Sequence, residues 1–595
     1  MRTLLHVPFC RVWLCLGLVP VLLGGCTDTV EVTRDPFNPP PDNTFLGFFD
    51  VSKSQTTCGN CHVLHQRDWV NTKHASAISE LVGNADATPA CYQCHTVSER
   101  GNPVDGAAGY DKVQTDVYHD VQCESCHGPG LDHVQFPDAG QTATNPPLAA
   151  ISVPLLSAPL NSTDSTTLAN SASCGSCHNQ NSGPGVRTYE EWAHSGHADV
   201  VREPDGSSPA EEAACAGCHE AKGALAAWGV FANFREKGTS TLLGQTCAVC
   251  HDPHGARKDE TGQVFPGQLR YSMDTPDTNA NLCMKCHQRR AVPAATSSRG
   301  PHSPQGPMLL GDAGYRPVGF DPNVVQSTHA SDRNPRLCAG CHVNRITGID
   351  VNTGKPATSA GHLFLPTPCL DAGGLPDMVN QDCPDDEASR SWQACTASGC
   401  HASAAQAVSL FTLSTQRMDA DTKEIWTDLN ANGLVDPDST ACSAGALRIR
   451  VQGDPAVTDT IPCANPTGVT ATDDYNRANW DAGLLARTDL IPQIGPTAAF
   501  PNDTNQYKTN DSFISPAEGA LFNVRMLMPE GGSDGSNGVH NPFLAEALLI
   551  ADIAEINTRY YGGAAALSPA VRSKMSGQMA GLYRSVANAA AMQSK

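Results

Sequence analysis

The sequence predicts a mainly α chain with long loops and little strand, closed by a tail of α+β character. Three observations predict it. A short cysteine–histidine motif recurs nine times between residues 58 and 401, so each copy has about 38 residues to itself, room for a short helix and a long loop but not for a layered domain. Period-two alternation is scarce in that stretch, and the few strands expected fall around Ala446 to Val451, beyond it. The last 194 residues, 402–595, carry no copy of the motif but do carry helix-start signals.

Composition narrows the classes before any motif is read. With 39 Lys+Arg against 61 Asp+Glu, the net charge of −22 excludes a nucleic-acid binder working through basic patches. Only 17 % of residues are charged while 40 % are hydrophobic, which argues against disorder of the charged, apolar-poor kind. The length allows two to four domains.

The N-terminus reads as an address. Arg2 and Arg11 supply a basic start, and Val12 to Leu23 is a twelve-residue apolar run. As a helix it rises about 18 Å, short of the roughly 30 Å hydrocarbon core, so a signal peptide is expected rather than a span. Leu23-Gly24-Gly25-Cys26 resembles the bacterial lipobox, which implies that Cys26 is lipidated; ordinary cleavage with Cys26 incidental is the rival. Thr27, not aspartate, follows Cys26, and by resemblance this points to the outer membrane. The proline-rich Asp35 to Pro41 is expected to be a tether in an exported, disulfide-permissive compartment.

C-x-x-C-H begins at Cys58, Cys91, Cys123, Cys174, Cys215, Cys247, Cys283 and Cys338; a stretched ninth copy runs from Cys395 through Cys400 to His401. Chance would give one such motif about 0.04 times in a chain of this composition. Two thiols that add across the two vinyl groups of a haem, with a histidine directly behind the second to reach the iron, explain the spacing as c-type haem attachment. Zinc needs four ligands and does not explain a histidine behind every second cysteine. A thioredoxin-like motif explains one C-x-x-C, not nine. Nine covalent haems are therefore expected, held by Cys58/Cys61, Cys91/Cys94, Cys123/Cys126, Cys174/Cys177, Cys215/Cys218, Cys247/Cys250, Cys283/Cys286, Cys338/Cys341 and Cys395/Cys400. The motif histidines are His62, His95, His127, His178, His219, His251, His287, His342 and His401. With Cys10, Cys15 and Cys26 assigned to the signal region, Cys369, Cys383, Cys442 and Cys463 remain; the shortest loops pair Cys369 with Cys383 and Cys442 with Cys463, free buried thiols being the alternative.

With His6 set aside in the signal region, eleven further histidines stand against nine second axial positions, so every iron can take two histidines. An internal repeat ranks them. Trp69-x4-His74-Ala75 returns as Trp192-x4-His197-Ala198, and the 32 residues from Cys91 to Cys123 return from Cys215 to Cys247. Both third motifs trail a histidine, His133 and His254, so residues 58–133 and 174–254 read as two copies of one trihaem unit. His74, His133, His197 and His254 are thus expected as ligands; His302, His329, His362 and His540 complete eight, and the ninth comes from His65, His119 or His194.

The expected organisation is a signal peptide (1–25), a tether (26–50), trihaem unit 1 (51–137), a linker rich in Pro, Ser, Thr and Ala (138–173), trihaem unit 2 (174–260), a third haem region (261–401) and the haem-free tail (402–595). In the tail, Asp428, Asn430, Asn432 and Asp436 alternate as calcium-loop oxygens do, although Ser439 stands where the twelfth position wants an acid, which leaves an Asx-rich turn as the rival. Asn541-Pro542 is the cap and start of a helix through about Tyr560, and Ser568-Pro569 of another.

CESCHGPG, the W-x4-H-A element and CHDPHG resemble multihaem c-type cytochromes, including those of respiratory and metal-reducing bacteria; the resemblance covers about residues 58–401. RGPHSPQG (His302), THAS (His329) and AGHLF (His362) look like distal-ligand segments of that group. The stretched copy departs from the common motif. The resemblance implies haems stacked in a chain packed inside a mainly α protein, each iron held by two histidines. The expected function is an electron conduit between redox protein partners, and on to a periplasmic or extracellular acceptor, rather than a catalyst. The alternative is a reductase of a small nitrogen or sulfur oxyanion with one open iron; a third reading makes the tail a docking module.

Overall fold

The computed structural model of the chain describes residues 45–131 and 174–428 apart from short gaps, strands at 445–450 and 458–461, and residues 514–561 apart from 528–532. The expected signal peptide with Cys26, tether up to residue 44, linker, most of the calcium loop, Cys442–Cys463 pairing and last helix, together with His133, lie outside the described residues.

Among the described residues helices dominate, and strands are few, short and never close a sheet. Seven strands form two antiparallel pairs, β1 (Phe48–Asp50) with β2 (Gln55–Thr56) and β3 (Thr347–Ile349) with β4 (Pro356–Thr358), and one antiparallel three-stranded sheet of β5 (Trp426–Asp428), β6 (Gly445–Arg450) and β7 (Thr458–Ile461). The strand expected around Ala446 is β6. Helices α1 (Val63–Trp69), α2 (Pro89–His95), α3 (Cys123–His127), α4 (Thr188–Ala193), α5 (Ala216–His219), α6 (Ala221–Ala227), α7 (Cys247–Cys250), α8 (Gln305–Leu310), α9 (Cys338–His342) and α10 (Gln393–Thr396) are one or two turns long. The tail supplies the long ones, α11 (Ala404–Ile425), α12 (Pro516–Leu527) and α13 (Pro542–Tyr561). Asn541 caps α13 as expected, its Oδ1 accepting from the Leu544 N–H at 3.0 Å. No helix among the described residues is long and apolar enough to cross a membrane.

Apolar burial is divided rather than pooled. Small clusters form at Phe45/Val97/Tyr118, Phe48/Trp69/Ala75, Tyr189/Trp192/Ala193, Ala221/Leu225/Val249 and Met284/Leu309/Leu337. Such satellites cannot exclude water from the middle of a chain this size by themselves. A denser core sits in the tail, where Val524, Met526, Leu544, Leu548 and Leu549 are fully buried. The tail is tied on by Asn523, which exchanges two hydrogen bonds with the Tyr315 backbone at 2.7 and 2.9 Å; within the tail Arg417 pairs with Glu546 across α11 and α13.

The repeat in the sequence is a repeat in structure. Trp69 Nε1 donates to the Val121 carbonyl at 3.0 Å, and Trp192 Nε1 to the Gln245 carbonyl at 2.8 Å; each acceptor stands two residues before the third motif of its unit. The same two acceptor residues donate their N–H to the carbonyls of His74 and His197. Arg187, 3 % exposed, joins unit 2 to the region beyond it through Asp350 at 2.9 Å and Asp371 at 3.6 Å. Cys369 and Cys383 are disulfide-bonded, as the short-loop pairing expects.

Candidate functional site

Each C-x-x-C-H copy needs one helical turn, because i and i+3 place both thiols on one face and i+4 brings the histidine beside them. The backbone closes that turn: the N–H of His62, His178, His219, His251 and His287 donates to the carbonyl of the first cysteine of its motif at 2.8–3.1 Å. The stretched copy closes the same bond across two more residues, His401 N–H to Cys395 C=O at 3.1 Å. We number the motifs 1 to 9 along the chain.

All eighteen motif cysteines and all nine motif histidines line one continuous cavity of about 5420 Å³, several times the roughly 300–1,000 Å³ of a small-molecule pocket. All eighteen thiols are free of disulfides, and no group of three or more His, Cys, Asp or Glu side chains converges as a metal cluster among the described residues. Paired free thiols beside a histidine, opening on a shared apolar cavity, fit covalent haem.

Seven of the nine motif histidines stand opposite a second histidine. Ring centroids are 6.3 Å apart for His127–His254, 6.2 Å for His178–His74, 5.7 Å for His219–His302, 6.3 Å for His251–His362, 6.2 Å for His287–His197, 6.1 Å for His342–His540 and 6.3 Å for His401–His329. A metal–imidazole bond of about 2.0 Å on each side, plus roughly 1.2 Å from nitrogen to ring centre, places two axial imidazoles about 6.4 Å apart. The gaps are those an iron would fill.

The uncommitted candidates separate. His65 lines the cavity 4.5 Å from His254, too close to share an iron with it, and 6.3 Å from His62. His119 packs on Tyr110 and approaches Asp116 at 3.5 Å; exposed His194 bonds the Glu190 carbonyl. Neither lines the cavity. His95 lines it and bonds the Ala77 carbonyl at 2.8 Å.

Ring orientation is set from behind. The Nδ1 atoms of His251, His329 and His342 meet the carbonyls of Gly267, Val539 and Phe364 at 2.5–2.7 Å. A carbonyl only accepts, so Nδ1 holds the proton and Nε2 presents its lone pair to the cavity. Burial pushes His74, His197, His254 and His362 down to about 4, which keeps them neutral and able to ligate. His540 differs. Its Nδ1 meets the Asp534 carboxylate at 2.7 Å, and although burial acts to lower its pKa, the charge and hydrogen bond of Asp534 outweigh that and raise it. Sequence reasoning missed Asp534, whose only local mark is a place in a glycine- and serine-rich turn.

Neighbouring motifs touch through their thiols. Cys58 contacts Cys123, Cys174 contacts Cys247, Cys218 contacts Cys286, and Cys283 contacts Cys338. Cys126 lies within electrostatic range of Cys174, Cys250 of Cys283, Cys341 of both Cys395 and Cys400, and His95 of His178.

These motifs and this cavity define a multihaem c-type cytochrome. A family model, cytochrome c554 and c-prime, matches residues 57–128, which hold the first three motifs. The chain is 27 % identical over 229 residues to the C-type polyheme cytochrome OmcC of Geobacter sulfurreducens, a match covering 33 % of this chain and 26 % of that protein. It is 24 % identical over 295 residues to the multiheme cytochrome MtrA of Shewanella baltica, covering 46 % of this chain and 74 % of MtrA. The chain thus spans about a quarter of OmcC and three quarters of MtrA. A solved structure, the outer cell wall cytochrome OcwA, aligns with a TM-score of 0.42 and 15 % identity, covering 86 % of this chain and 100 % of that one.

Proposed function

We propose that the chain carries nine covalent haems, each ligated by two histidines, and conducts electrons along them between redox partners as an exported lipoprotein anchored through Cys26. The observation that carries the reading is the set of seven opposed histidine pairs, each spaced for one iron between two imidazoles. Bound haem iron supplies one-electron exchange; two nitrogen ligands leave no position for a substrate, so the protein's part is to hold, orient and insulate.

The thiol contacts support a route through motifs 1, 3, 4, 6, 7, 8 and 9, with motif 2 branching at 4 and motif 5 at 7. Cys61 lies at one end of that route and Cys400 at the other; both are exposed, as is Cys174 of motif 4 within it. Residues 51–137 and 174–260 act as two trihaem units, 261–401 as a third set and 402–595 as a haem-free tail. Partners are redox proteins and an acceptor outside the cytoplasm.

Haem counting by pyridine haemochrome and intact mass should give nine per chain, and low-temperature EPR of the oxidised protein should show low-spin iron alone. A high-spin signal would favour the reductase of a nitrogen or sulfur oxyanion instead. Exchanging Cys26 for Ala should move the haem protein to the soluble fraction; continued membrane association would remove the lipid anchor.

A further inference from the structure

The described ring partners behind the motif and opposing histidines are mostly neutral acceptors: backbone carbonyls behind His95, His251, His329 and His342, and the Gln305 amide oxygen at 3.3 Å behind His287. His540 instead has a carboxylate within 3 Å, that of Asp534, whereas the carboxylate of Asp252 stands 3.9 Å from His254. Asp534 is 2 % exposed, its second hydrogen-bond partner is the Ser536 hydroxyl, and its charge reaches the His342 ring on the other side of the gap.

We propose that Asp534 tunes motif 8, making it a low-potential station on the route; this rests on reading His342 and His540 as an axial pair. A carboxylate acceptor draws the Nδ1 proton outward and makes Nε2 a stronger donor than a carbonyl-held imidazole does. Stronger donation and a buried negative charge both favour ferric over ferrous iron. An electron arriving at motif 8 leaves its neighbour oxidised, no bond breaks, and the proton stays on His540 Nδ1. Motif 8 therefore fills late and empties early, one place before the exposed end of the route.

The placement serves more than one station. The turn that holds Asp534 also presents the Val539 carbonyl to His329 of the motif 9 pair, and the Ser533 carbonyl accepts from Gln305, which holds His287 of motif 7. A single tail turn thus fixes the rings of three consecutive motifs, and it gives its one carboxylate to the middle one.

The test is a spectropotentiometric titration of the full-length haem protein. Asp534→Asn keeps an acceptor oxygen and removes the charge; one haem of the nine should show about a tenfold larger reduced-to-oxidised ratio at fixed applied potential, which is 59 mV for a one-electron couple. EPR of that variant should stay low-spin. Ser536→Ala removes the hydroxyl that shares the carboxylate, so the ratio should fall rather than rise. Curves that superimpose on the wild type in either variant, or a rise in Ser536→Ala, overturn the tuning role. His540→Ala separates this from the ligation reading: one new high-spin iron there with unshifted Asp534→Asn refutes the tuning alone, whereas nine low-spin irons in His540→Ala refute the axial pair.

Discussion

Arg187 offers a test of how the haem-bearing regions are joined. Its guanidinium is 4 % exposed, its Nη2 meets Asp350 at 2.9 Å and its Nη1 lies 3.6 Å from Asp371, while Asp350 itself is 6 % exposed. The pair links residue 187 of unit 2 to the β3–β4 hairpin and the loop after it, and the backbone repeats the link, Arg187 N–H donating to the Thr358 carbonyl at 3.0 Å. Exchanging Arg187 for Met keeps the aliphatic stem and strands two carboxylates with little water. Removing one partner of a buried pair costs about 3–5 kcal/mol, so unfolding should be easier by that amount. Arg187→Lys should recover only part, because an ammonium cannot serve both carboxylates through a planar fork. Burial acts to raise the Asp350 carboxyl, but the Arg187 hydrogen bond and the Thr353 and Asn352 N–H groups hold it below its ordinary 3.8. A depressed carboxyl contributes stability above its unfolded pKa and loses it as pH falls through the folded value; the variant should therefore lose stability at neutral pH and show a flatter acid limb below about pH 4. Chemical denaturation followed by Soret absorbance and tryptophan fluorescence reads both. A midpoint within about 0.5 kcal/mol of the wild type, the range of ordinary surface exchanges, would refute a joint made by this pair.

Three further outcomes are expected. Trp69→Phe and Trp192→Phe each remove one donor to a backbone carbonyl in matching places, at 3.0 and 2.8 Å, so each should cost about 1–3 kcal/mol and the two costs should agree within about 0.5 kcal/mol; unequal losses in denaturation would break the structural repeat. Glu124 is raised by burial to about 7, against the pull of the Gly47, Gly130 and Leu46 N–H groups. The folded state then holds its proton more tightly than the unfolded one, so stability should fall as pH rises from about 4.5 to about 7, and Glu124→Gln should abolish that fall; a variant with the wild-type pH profile would exclude Glu124 as its source. Cys400→Ser should lower the haem count from nine to eight in the intact mass, and a count of eight in wild type and variant alike would show that the stretched motif carries no haem.

Short-range features were legible in the sequence and long-range ones were not. The motifs, the Trp69/Trp192 repeat, the α13 start at Asn541-Pro542 and the Cys369–Cys383 loop all depend on residues a few positions apart, where spacing alone constrains geometry. Which histidine faces which motif depends on where loops return, and spacing is silent on that. His74, read as part of unit 1, faces His178 of unit 2, and His254 of unit 2 faces His127 of unit 1. His65, His119 and His194 could not be ranked from the chain, yet the fold keeps the last two outside the cavity. Asp534 had no signature, because an acidic residue in a polar turn looks like any solvated one until burial is known.

The forward reach of His74 to motif 4 is matched by His197, which reaches motif 7. Each unit hands the histidine after its tryptophan to the first motif of the next, so neighbours interlock and none is self-sufficient. A chain built this way grows by concatenation: another copy inserted between two units would accept a histidine from behind and pass one on, lengthening the conductor without rewiring it. Such a series needs a terminator, as stacked repeats need an end cap. Motif 8 takes its facing histidine from the tail itself. Residues 533–540, which carry Asp534 and His540, are that end, and within the tail Arg417 holds the helix behind them through Glu546.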